Sequence, residues 1–313
     1  MQAAADEAVE RAFNAGTILR THVMRPTWHF VAPADIRWML ELTAPRVHVV
    51  NAYMYRQLEL DGALFLRSHA VIVKALQGGR HLTRAELGSA LAQAGITAGG
   101  MRLGYILHHA ELDALVCSGP RRGKQFTYTL LDERAPMART FARDEALAEL
   151  TRRYYTGHGP ATIKDFAWWS GLTAADVKAG LHMAASHLTR EELDGQAFWS
   201  SASTPPASAP TRAAFLLPTY DEFVIGYSSF DKSRTAGHDL QGNVVFDSMV
   251  LVGGRISGSW RRTFKKGAVA IEFAPFAPWT AAEREAVTAA AGRYGEFIGM
   301  PVRTSFNPEN DII

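Results

Sequence analysis

The chain has 313 residues, of which 47% are hydrophobic and 20% are charged, which predicts two or three domains with sizeable cores. Its 33 basic and 31 acidic side chains give a formal net charge of +2, which excludes a histone-like polycation. The single cysteine, Cys117, excludes an intrachain disulfide and a cysteine-based zinc site. The sequence shows neither an apolar run of membrane-spanning length nor a signal-peptide pattern, so we expect a cytoplasmic protein without membrane association.

The N-terminal residues predict the end of a helix followed by a β-hairpin. The helix covers residues 6–14 and stops at a glycine, and the two strands cover residues 18–24 and 27–31. Another helix starts at about Asp35. Because a helix that leads into a hairpin is typical of the end of a winged-helix unit, we expect residues 1–45 to be a remnant of such a unit. Its hairpin should pack on the rest of the protein.

The hairpin carries two histidines. A two-residue loop at Arg25 and Pro26 would place His22 opposite His29, with both imidazoles on one face. We expect no metal site from this pair, because no carboxylate or third histidine has a ligand spacing to it.

Two later stretches repeat the order helix, turn, helix and hairpin. The first begins at Thr83 and the second at Thr162, and each threonine has capping-box spacing to an acidic residue. The first hairpin has a basic tip, and the second has an Asp-Gly turn. These stretches predict winged-helix units at residues 46–135 and 136–200.

The pattern changes after the second repeat. Residues 201–211 are rich in serine and proline and predict a linker. Residues 212–313 predict short strands, including one at 223–226, and a final helix that begins after Thr280. The predicted fold class is therefore α+β, with tandem winged-helix modules followed by a β-rich, largely antiparallel C-terminal domain.

Four segments give the chain a family resemblance over nearly its whole length. They are LRTHVMRPTWHFVAPAD at 19–35, HGPAT at 158–162 with WSGL at 169–172, LPTYDEF at 217–223 and GSWR at 258–261. In these segments the sequence resembles the AlkZ/YcaQ-type winged-helix DNA glycosylases. The resemblance implies tandem winged helices that line a basic concave surface and bind double-stranded DNA. Active members cut the glycosidic bond of alkylated bases such as N7-alkylguanine. The resemblance implies no metal and no organic cofactor, and we expect a monomer.

One motif of the active relatives is absent. They carry Gln-x-Gln or Gln-x-Asp upstream of the hairpin, and the resemblance assigns this motif to holding the attacking water. Of the seven glutamines in this sequence, no two are spaced i, i+2, and only Gln2 precedes the hairpin. We therefore expect the segment with the motif to be missing before Met1 and base excision to be impaired, because hydrolysis needs a positioned water.

Three functional interpretations follow. The first is a DNA glycosylase, which a Gln-x-Gln encoded upstream would favour. The second is a non-enzymatic winged-helix DNA-binding regulator, which sequence-specific binding to undamaged duplex would favour. The third is a protein that uses these modules for protein contacts, and an absence of salt-dependent DNA binding would favour it.

The resemblance places His29, together with Thr27, beside the DNA-facing site, and Arg25 in the same hairpin is a further candidate DNA contact. The functional interpretation is that His29 contacts a phosphate or an abasic sugar. As the predicted catalytic residue it would accept a proton, since a neutral imidazole does so near neutral pH. The alternative is a hydrogen-bonded histidine on a polar strand face.

Basic side chains elsewhere are candidate phosphate contacts. They are Arg121, Arg122 and Lys124 at the first wing tip, Lys164 on the first helix of the second repeat, and Arg261, Arg262, Lys265 and Lys266, which are predicted in a hairpin turn. The alternative for each cluster is a solvated loop.

Two adjacent carboxylates, Asp221 and Glu222, follow the first strand of the C-terminal domain. We expect a structural or orienting role for them, either capping backbone amides or pairing with Arg234 or Arg261. The alternative is acid–base chemistry.

Overall fold

The computed structural model describes residues 5–203, 213–228 and 248–306. The chain forms two units, which we call the N-terminal unit, residues 10–202, and the C-terminal unit, residues 203–313 together with residues 1–9. Helices and short hairpins build the first unit, and a five-stranded sheet builds the second. The mixed α+β fold class is therefore confirmed.

The N-terminal hairpin has a different register from the predicted one. Helix α1 (Asp6–Ala15) is followed by strands β1 (Leu19–His22) and β2 (Trp28–Val31), which pair antiparallel. His22 lies opposite Trp28, and His29 lies opposite Thr21. The predicted pairing of His22 with His29 is wrong because the turn has five residues instead of two. Met24 takes a φ of 66° in this turn, and its N–H donates to the hydroxyl of Thr43 (3.0 Å).

One face of the hairpin is apolar and packs on the rest of the N-terminal unit. Leu19 and Val31 are buried in a core cluster with Ile36, Cys117 and Leu131. The other hairpin face carries polar and aromatic side chains, because successive strand residues point to opposite sides. His22 and His29 therefore lie on opposite faces of the hairpin.

The first repeat follows the predicted order and is preceded by two helices. The preceding helices are α2 (Ile36–Gln57) and α3 (Gly62–Leu76), and the elements from β3 onward are β3 (Leu82–Thr83), α4 (Arg84–Gln93), α5 (Gly100–Leu112), β4 (Val116–Arg122), β5 (Gln125–Leu130) and α6 (Leu131–Arg134). The strands form an antiparallel sheet in the order β3-β5-β4. The capping box of Thr83 and Glu86 is present and starts α4. Leu103, Ile106 and Leu107 of α5 are buried in the core, as their helical spacing predicts.

The second repeat has a similar course. Its elements are α7 (Arg143–His158), α8 (Ile163–Ser170), α9 (Ala174–Ala184), β6 (Leu188–Leu193) and β7 (Gln196–Ser201). Thr162 and Asp165 form the predicted capping box of α8, and α8 ends at Gly171 in the left-handed conformation. The predicted Asp-Gly turn joins β6 to β7, with both Asp194 and Gly195 at positive φ.

The C-terminal unit is built on one sheet. Its described elements are β8 (Ala214–Leu217), α10 (Glu222–Ile225), β9 (Met249–Val252), β10 (Arg255–Lys265), β11 (Ala268–Pro275), α11 (Ala281–Ile298) and β12 (Val302–Phe306). The strand order is β12-β11-β10-β9-β8, and all neighbours are antiparallel except β11 and β12. Thr280 caps α11 as predicted. Its Val287, Ala290 and Ala291 pack on the sheet with Trp260.

Three features of this unit differ from the prediction. Residues 223–226 do not form a strand, because Asp221 accepts a hydrogen bond from the Phe223 N–H (2.9 Å) and starts the short helix α10. Strand β12 was not predicted. Most of the predicted linker, residues 201–211, lies outside the described residues.

None of the helices in residues 5–203, 213–228 and 248–306 combines the length and the apolar character that crossing a bilayer requires.

Candidate functional site

A cleft of about 490 Å³ lies between the hairpin and helix α5 in the N-terminal unit. The hairpin contributes His22 and Trp28 from its polar face. Helix α5 contributes Tyr105, His108 and Glu111, which recur at helical spacing on one side of the helix. The opposite side of α5 is the buried apolar stripe, so one helix supplies both the core and the cleft.

A buried carboxylate lies at the floor of the cleft. Glu111 is fully buried, and its Oε2 atom is 2.5 Å from Nδ1 of His22. Its other oxygen, Oε1, is buried and has no hydrogen-bond partner among the described residues. Burial raises the pKa of Glu111 well above its usual range, although Arg20 opposes this shift. Burial and then Arg20 lower the pKa of His22 to about 4. Both shifts favour the uncharged form of each group, and a short hydrogen bond joins the two side chains.

Aromatic rings form the wall above this pair. The His22 ring lies between Trp28 and His108, with ring centroids 3.8 Å and 4.2 Å away. Burial, followed by the neighbouring His22, lowers the pKa of His108 to about 3, so this imidazole is neutral at pH 7. The guanidinium of Arg20 lies over the Trp28 ring at 3.6 Å. The cleft thus offers flat, uncharged surfaces with a cation behind them.

Small residues at the start of α5 hold the cleft open. Gly100 and Gly104 line it, and a Cβ on Gly104 would lie 3.3 Å from the guanidinium of Arg84. Arg84 donates a hydrogen bond to the Gly100 carbonyl (2.5 Å), which holds its positive charge at the cleft. An aromatic ring could therefore enter beside a cation without meeting a side chain of α5 at these two positions.

Of the predicted hairpin residues, His29 lies on the opposite face of the hairpin from this cleft, and Arg25 and Thr27 lie in the turn. His29 Nε2 is 2.8 Å from the hydroxyl of Thr27, so the two residues form one exposed polar pair. The Arg25 guanidinium lies 5.8 Å from the ring of Trp168, a half-exposed side chain of α8. Lys164 is exposed one turn earlier on the same helix. The structure brings Arg25 close to α8 but does not bring His29 into the cleft.

The predicted wing tip is partly neutralised by neighbouring groups. Arg122 pairs with Glu86 (2.7 Å) and donates to the carbonyl of His81 (2.6 Å). The Thr83 backbone N–H, followed by Arg122, lowers the pKa of Glu86 to about 2. The Arg121 guanidinium lies 3.7 Å from Glu10. Lys124 is exposed next to Gly123 at the tip.

The C-terminal cluster is not placed as predicted. Arg261 and Arg262 lie within strand β10, and only Lys265 and Lys266 flank the turn, so their assignment to one hairpin turn is wrong. The strand continues to Lys265 because its residues pair with β11 up to Ala268. Arg262 donates to the hydroxyl of Tyr294 (2.5 Å).

The two carboxylates lie at α10. Asp221 caps the helix through its contact with Phe223, and Glu222 is the first helical residue. The alternative partner Arg234 lies outside the described residues. Capping is a structural use of Asp221, whereas the orienting role of the pair stays a prediction.

Sequence reasoning missed the groups that line the cleft, above all Glu111, His108 and Arg84. The sequence pattern that could have revealed them lies on the non-apolar face of α5. There Gly104, His108 and Glu111 interrupt an apolar helix at spacings of four and three residues. A polar group on this face is buried only because the hairpin covers it.

Comparisons with known proteins identify the family. Residues 1–297 match the family model described as DNA glycosylase AlkZ-like. This chain belongs to the AlkZ-like DNA glycosylase family. The resemblance found in the sequence is thereby confirmed, and with it a DNA glycosylase-like function that involves DNA binding and DNA repair.

Two known proteins are similar to this AlkZ-like chain, one in sequence and one in structure. A curated interstrand DNA cross-link repair glycosylase of Streptomyces sahachiroi is 25% identical over 297 residues, which cover 83% of this chain and 74% of the relative. The solved structure of Streptomyces sahachiroi DNA glycosylase AlkZ matches with a TM-score of 0.78 and 22% identity, over 97% of this chain and 86% of that one. This structural likeness shows a shared fold.

Proposed function

We propose that this AlkZ-like chain binds duplex DNA as a monomer and excises an alkylated base that enters the cleft beside α5. The observation that carries the proposal is the cleft itself, with aromatic walls and the buried Glu111–His22 pair at its floor. Enzymes that cut a glycosidic bond must take the base out of the stack, and they bind it between flat side chains. Trp28 and Tyr105 supply such surfaces. The buried thiol of Cys117 supports a cytoplasmic location.

The order of elements supports winged-helix units at 46–135 and 136–200. In the first, α3, β3, α4, α5 and the β4–β5 hairpin follow one another, with β3 paired to β5. In the second, α7, α8 and α9 precede the β6–β7 hairpin, and a single bridge from Ala161 to Trp199 takes the place of the β3 pairing. The second helix of a helix-turn-helix is the one that reads DNA. In the first unit that helix is α5, whose polar face lines the cleft.

We keep the other predicted boundaries, with the hairpin and its flanking residues at 1–45 and a C-terminal domain at 212–313. On this assignment the hairpin of residues 1–45 covers α5 and closes one side of the cleft.

Hydrolysis of the glycosidic bond requires a positioned water molecule. An N7-alkylated guanine already carries positive charge, so it leaves with the electrons of the glycosidic bond without further protonation. Water then bonds to the sugar carbon that the base has left and releases one proton to the solvent, which leaves a hydroxyl on that carbon. The buried Oε1 atom of Glu111 is an acceptor at the cleft floor, and it can hold this water. His29, Thr27, Arg25, Lys164, Lys124 and the basic residues 261–266 act in this proposal as contacts to the DNA backbone.

Base release from methylated duplex tests the proposal. We expect the chain to release N7-methylguanine slowly, because it lacks a Gln-x-Gln pair. Glu111→Ala should lower the single-turnover rate at least about tenfold, because it removes the oxygen that holds the water, and misplacing a reactant by 1 Å can cost about 10²-fold. Glu145→Ala, on the exposed side of α7, is the matched control and should keep the rate. An unchanged rate in Glu111→Ala would remove the cleft from the mechanism. A rate lost only in His29→Ala would move the active site to the other hairpin face.

Residues 1–313 contain no Gln-x-Gln pair, and this favours a second candidate function for these residues, DNA binding without base excision. On this interpretation the cleft holds a base or a sugar edge but no reaction follows. The same assay separates the two functions, because this candidate requires salt-dependent duplex binding with release equal to that of DNA alone.

A further inference from the structure

A second polar cluster lies outside the cleft, where helices α2, α3 and α5 meet. His109 lies near the end of α5, and Asp113 follows as its capping residue. His48 comes from α2, and its ring nitrogen lies within 4.8 Å of ligand atoms of His109 and Asp113. His69 of α3 reaches the same carboxylate. The proposed function uses none of these four side chains.

Their distances fit the coordination shell of a small cation. His48 Nε2 is 3.1 Å from one oxygen of Asp113, and His109 Nδ1 is 3.2 Å from the other. His69 Nδ1 lies 3.7 Å from that second oxygen. In a tetrahedral zinc site with bonds of 2.0–2.1 Å, neighbouring ligand atoms are about 3.3 Å apart. The two spacings between a histidine nitrogen and a carboxylate oxygen, 3.1 Å and 3.2 Å, lie close to this value, and all three residues offer ligand atoms within 4.8 Å of one another.

Hydrogen bonding alone does not satisfy the cluster. His109 Nδ1 is buried and has no hydrogen bond of acceptable geometry within the described residues, although the carboxylate is near it. Three imidazole nitrogens converge on one carboxylate, and a ring nitrogen that points at a cation needs no proton. A buried polar atom without a partner requires an explanation, and an ion is one of the accepted explanations.

The surroundings also fit a metal site. The Nδ1 atom of His48 is 3.0 Å from the hydroxyl of Tyr55, so the ring is held with Nε2 turned to the cluster. Metal-binding histidines are usually fixed through their second nitrogen in this way. The Phe65 ring stacks on His109 at 3.6 Å and shields that side. Asp113 is 37% exposed, which leaves a path for the ion.

We propose that His48, His109 and Asp113 form a structural site for a divalent transition cation, with His69 as the fourth ligand. Two or three imidazoles and one carboxylate suit zinc best among the common cations, because calcium and magnesium prefer oxygen ligands. The bound ion would tie α2 and α3 to the end of α5. Glu111 lies on that same last turn, so the ion would also fix the floor of the cleft. This site adds to the proposed function and does not depend on it.

Metal titration of the untagged full chain tests the site. After treatment with a chelator, Co²⁺ should bind at one ion per chain and give the intense visible absorption of tetrahedral cobalt. Zn²⁺ should displace it, and a saturating excess of Zn²⁺ should raise the Tm by about 5 °C. Wild-type protein that binds neither ion stoichiometrically would overturn the proposal, whatever its activity on DNA.

Variants locate the site. Asp113→Asn and His109→Ala should each lose the cobalt absorption and the zinc-dependent rise in Tm. Their circular dichroism without metal should match that of the wild type. His182→Ala, an exposed histidine on α9, is the matched control and should bind as the wild type does. If both variants fold and still bind one ion with unchanged affinity, the ion lies elsewhere and the assignment is wrong. If a variant does not fold, the wild-type stoichiometry together with His48→Ala decides.

Discussion

The two repeats of the N-terminal unit have the same succession of helices and hairpin but carry opposite charges at the hairpin. The first tip has Arg121, Arg122 and Lys124, whereas the second has Glu191, Glu192 and Asp194. Both repeats start a helix with a threonine cap and an acidic partner. Caps and cores therefore set the fold, while a few exposed side chains decide which repeat can attract a polyanion. Of the two hairpins, the first has the charge that attracts phosphate.

The helices α5 and α9 differ in the use of a glycine. A Cβ on Gly180 of α9 would lie 2.2 Å from the hydroxyl of Thr151, which is itself buried on α7. A Cβ on Gly104 of α5 would lie 3.3 Å from the guanidinium at the end of the Arg84 side chain. The first glycine allows two helices to pack closely, and the second leaves space at the cleft. The second repeat is therefore closely packed at its helix glycine, whereas the first repeat has space at the corresponding helix.

The largest predicted effect on stability comes from adding a methyl group at these two glycines. Gly180→Ala should lower the free energy of unfolding by about 2 kcal/mol, because the buried Thr151 hydroxyl, which donates to the Leu147 carbonyl (2.7 Å), has nowhere to move. Gly104→Ala should stay within about 1 kcal/mol of the wild type, since alanine favours the helix. Urea unfolding measures both changes. Equal losses in the two variants would show that α5 and α9 are packed alike.

The second effect concerns the charges of the two hairpins. Replacing Arg121, Arg122 and Lys124 by alanine should weaken binding to every duplex alike. It should also flatten the slope of log affinity against log salt by up to about 0.9 for each lost phosphate contact. Lys124→Ala should account for most of this change, because Arg122 is already paired with Glu86.

Arg190→Ala in the second hairpin is the control for this measurement. Arg190 pairs with Glu192 (3.0 Å), and the slope should not change. A slope that responds to Arg190 but not to the first wing would reverse the roles of the two repeats.

A smaller difference is expected between the two caps. Thr83→Ala should cost about 1 kcal/mol, which is typical of a lost N-cap. Thr162→Ala should cost nearer 2 kcal/mol, because its hydroxyl also donates to a buried carboxylate, that of Asp165 (2.7 Å). Thermal unfolding of the two variants gives the comparison, and a greater loss for Thr83→Ala would contradict it.

The smallest predicted effect is a pH dependence of stability that arises from Glu86 in the first repeat. The pKa of Glu86 is about 2 in the folded chain, below its usual value of 4.5, because the Thr83 backbone N–H and Arg122 favour the charged form. The stabilisation is therefore complete above pH 4.5 and is lost as the pH falls toward 2. The difference in Tm between wild type and Glu86→Gln should shrink over this interval. A constant difference down to pH 2 would mean that the carboxylate adds nothing as an anion.

Local signals predicted most of the elements and little of the candidate site. The caps at Thr83, Thr162 and Thr280 and the turn at Asp194 depend on neighbours within four residues, and all are present. Residues 223–225 have β-branched and aromatic character but lie in helix α10, because one capping carboxylate outweighs a weak strand preference. The site was hidden because its members are distant in the chain, as the contact of His22 with a carboxylate 89 residues away shows.

The sequence by itself determined the family, the α+β class and the order of helices and hairpins, because periodicity and capping act over a few residues. Only the tertiary structure decided the register of the hairpin, which placed His22 in the cleft and His29 outside it. Only the tertiary structure brought His48, His109 and Asp113 together from two helices. Burial changes the pKa of a carboxylate or an imidazole through every group packed around it, and those groups come from the whole fold.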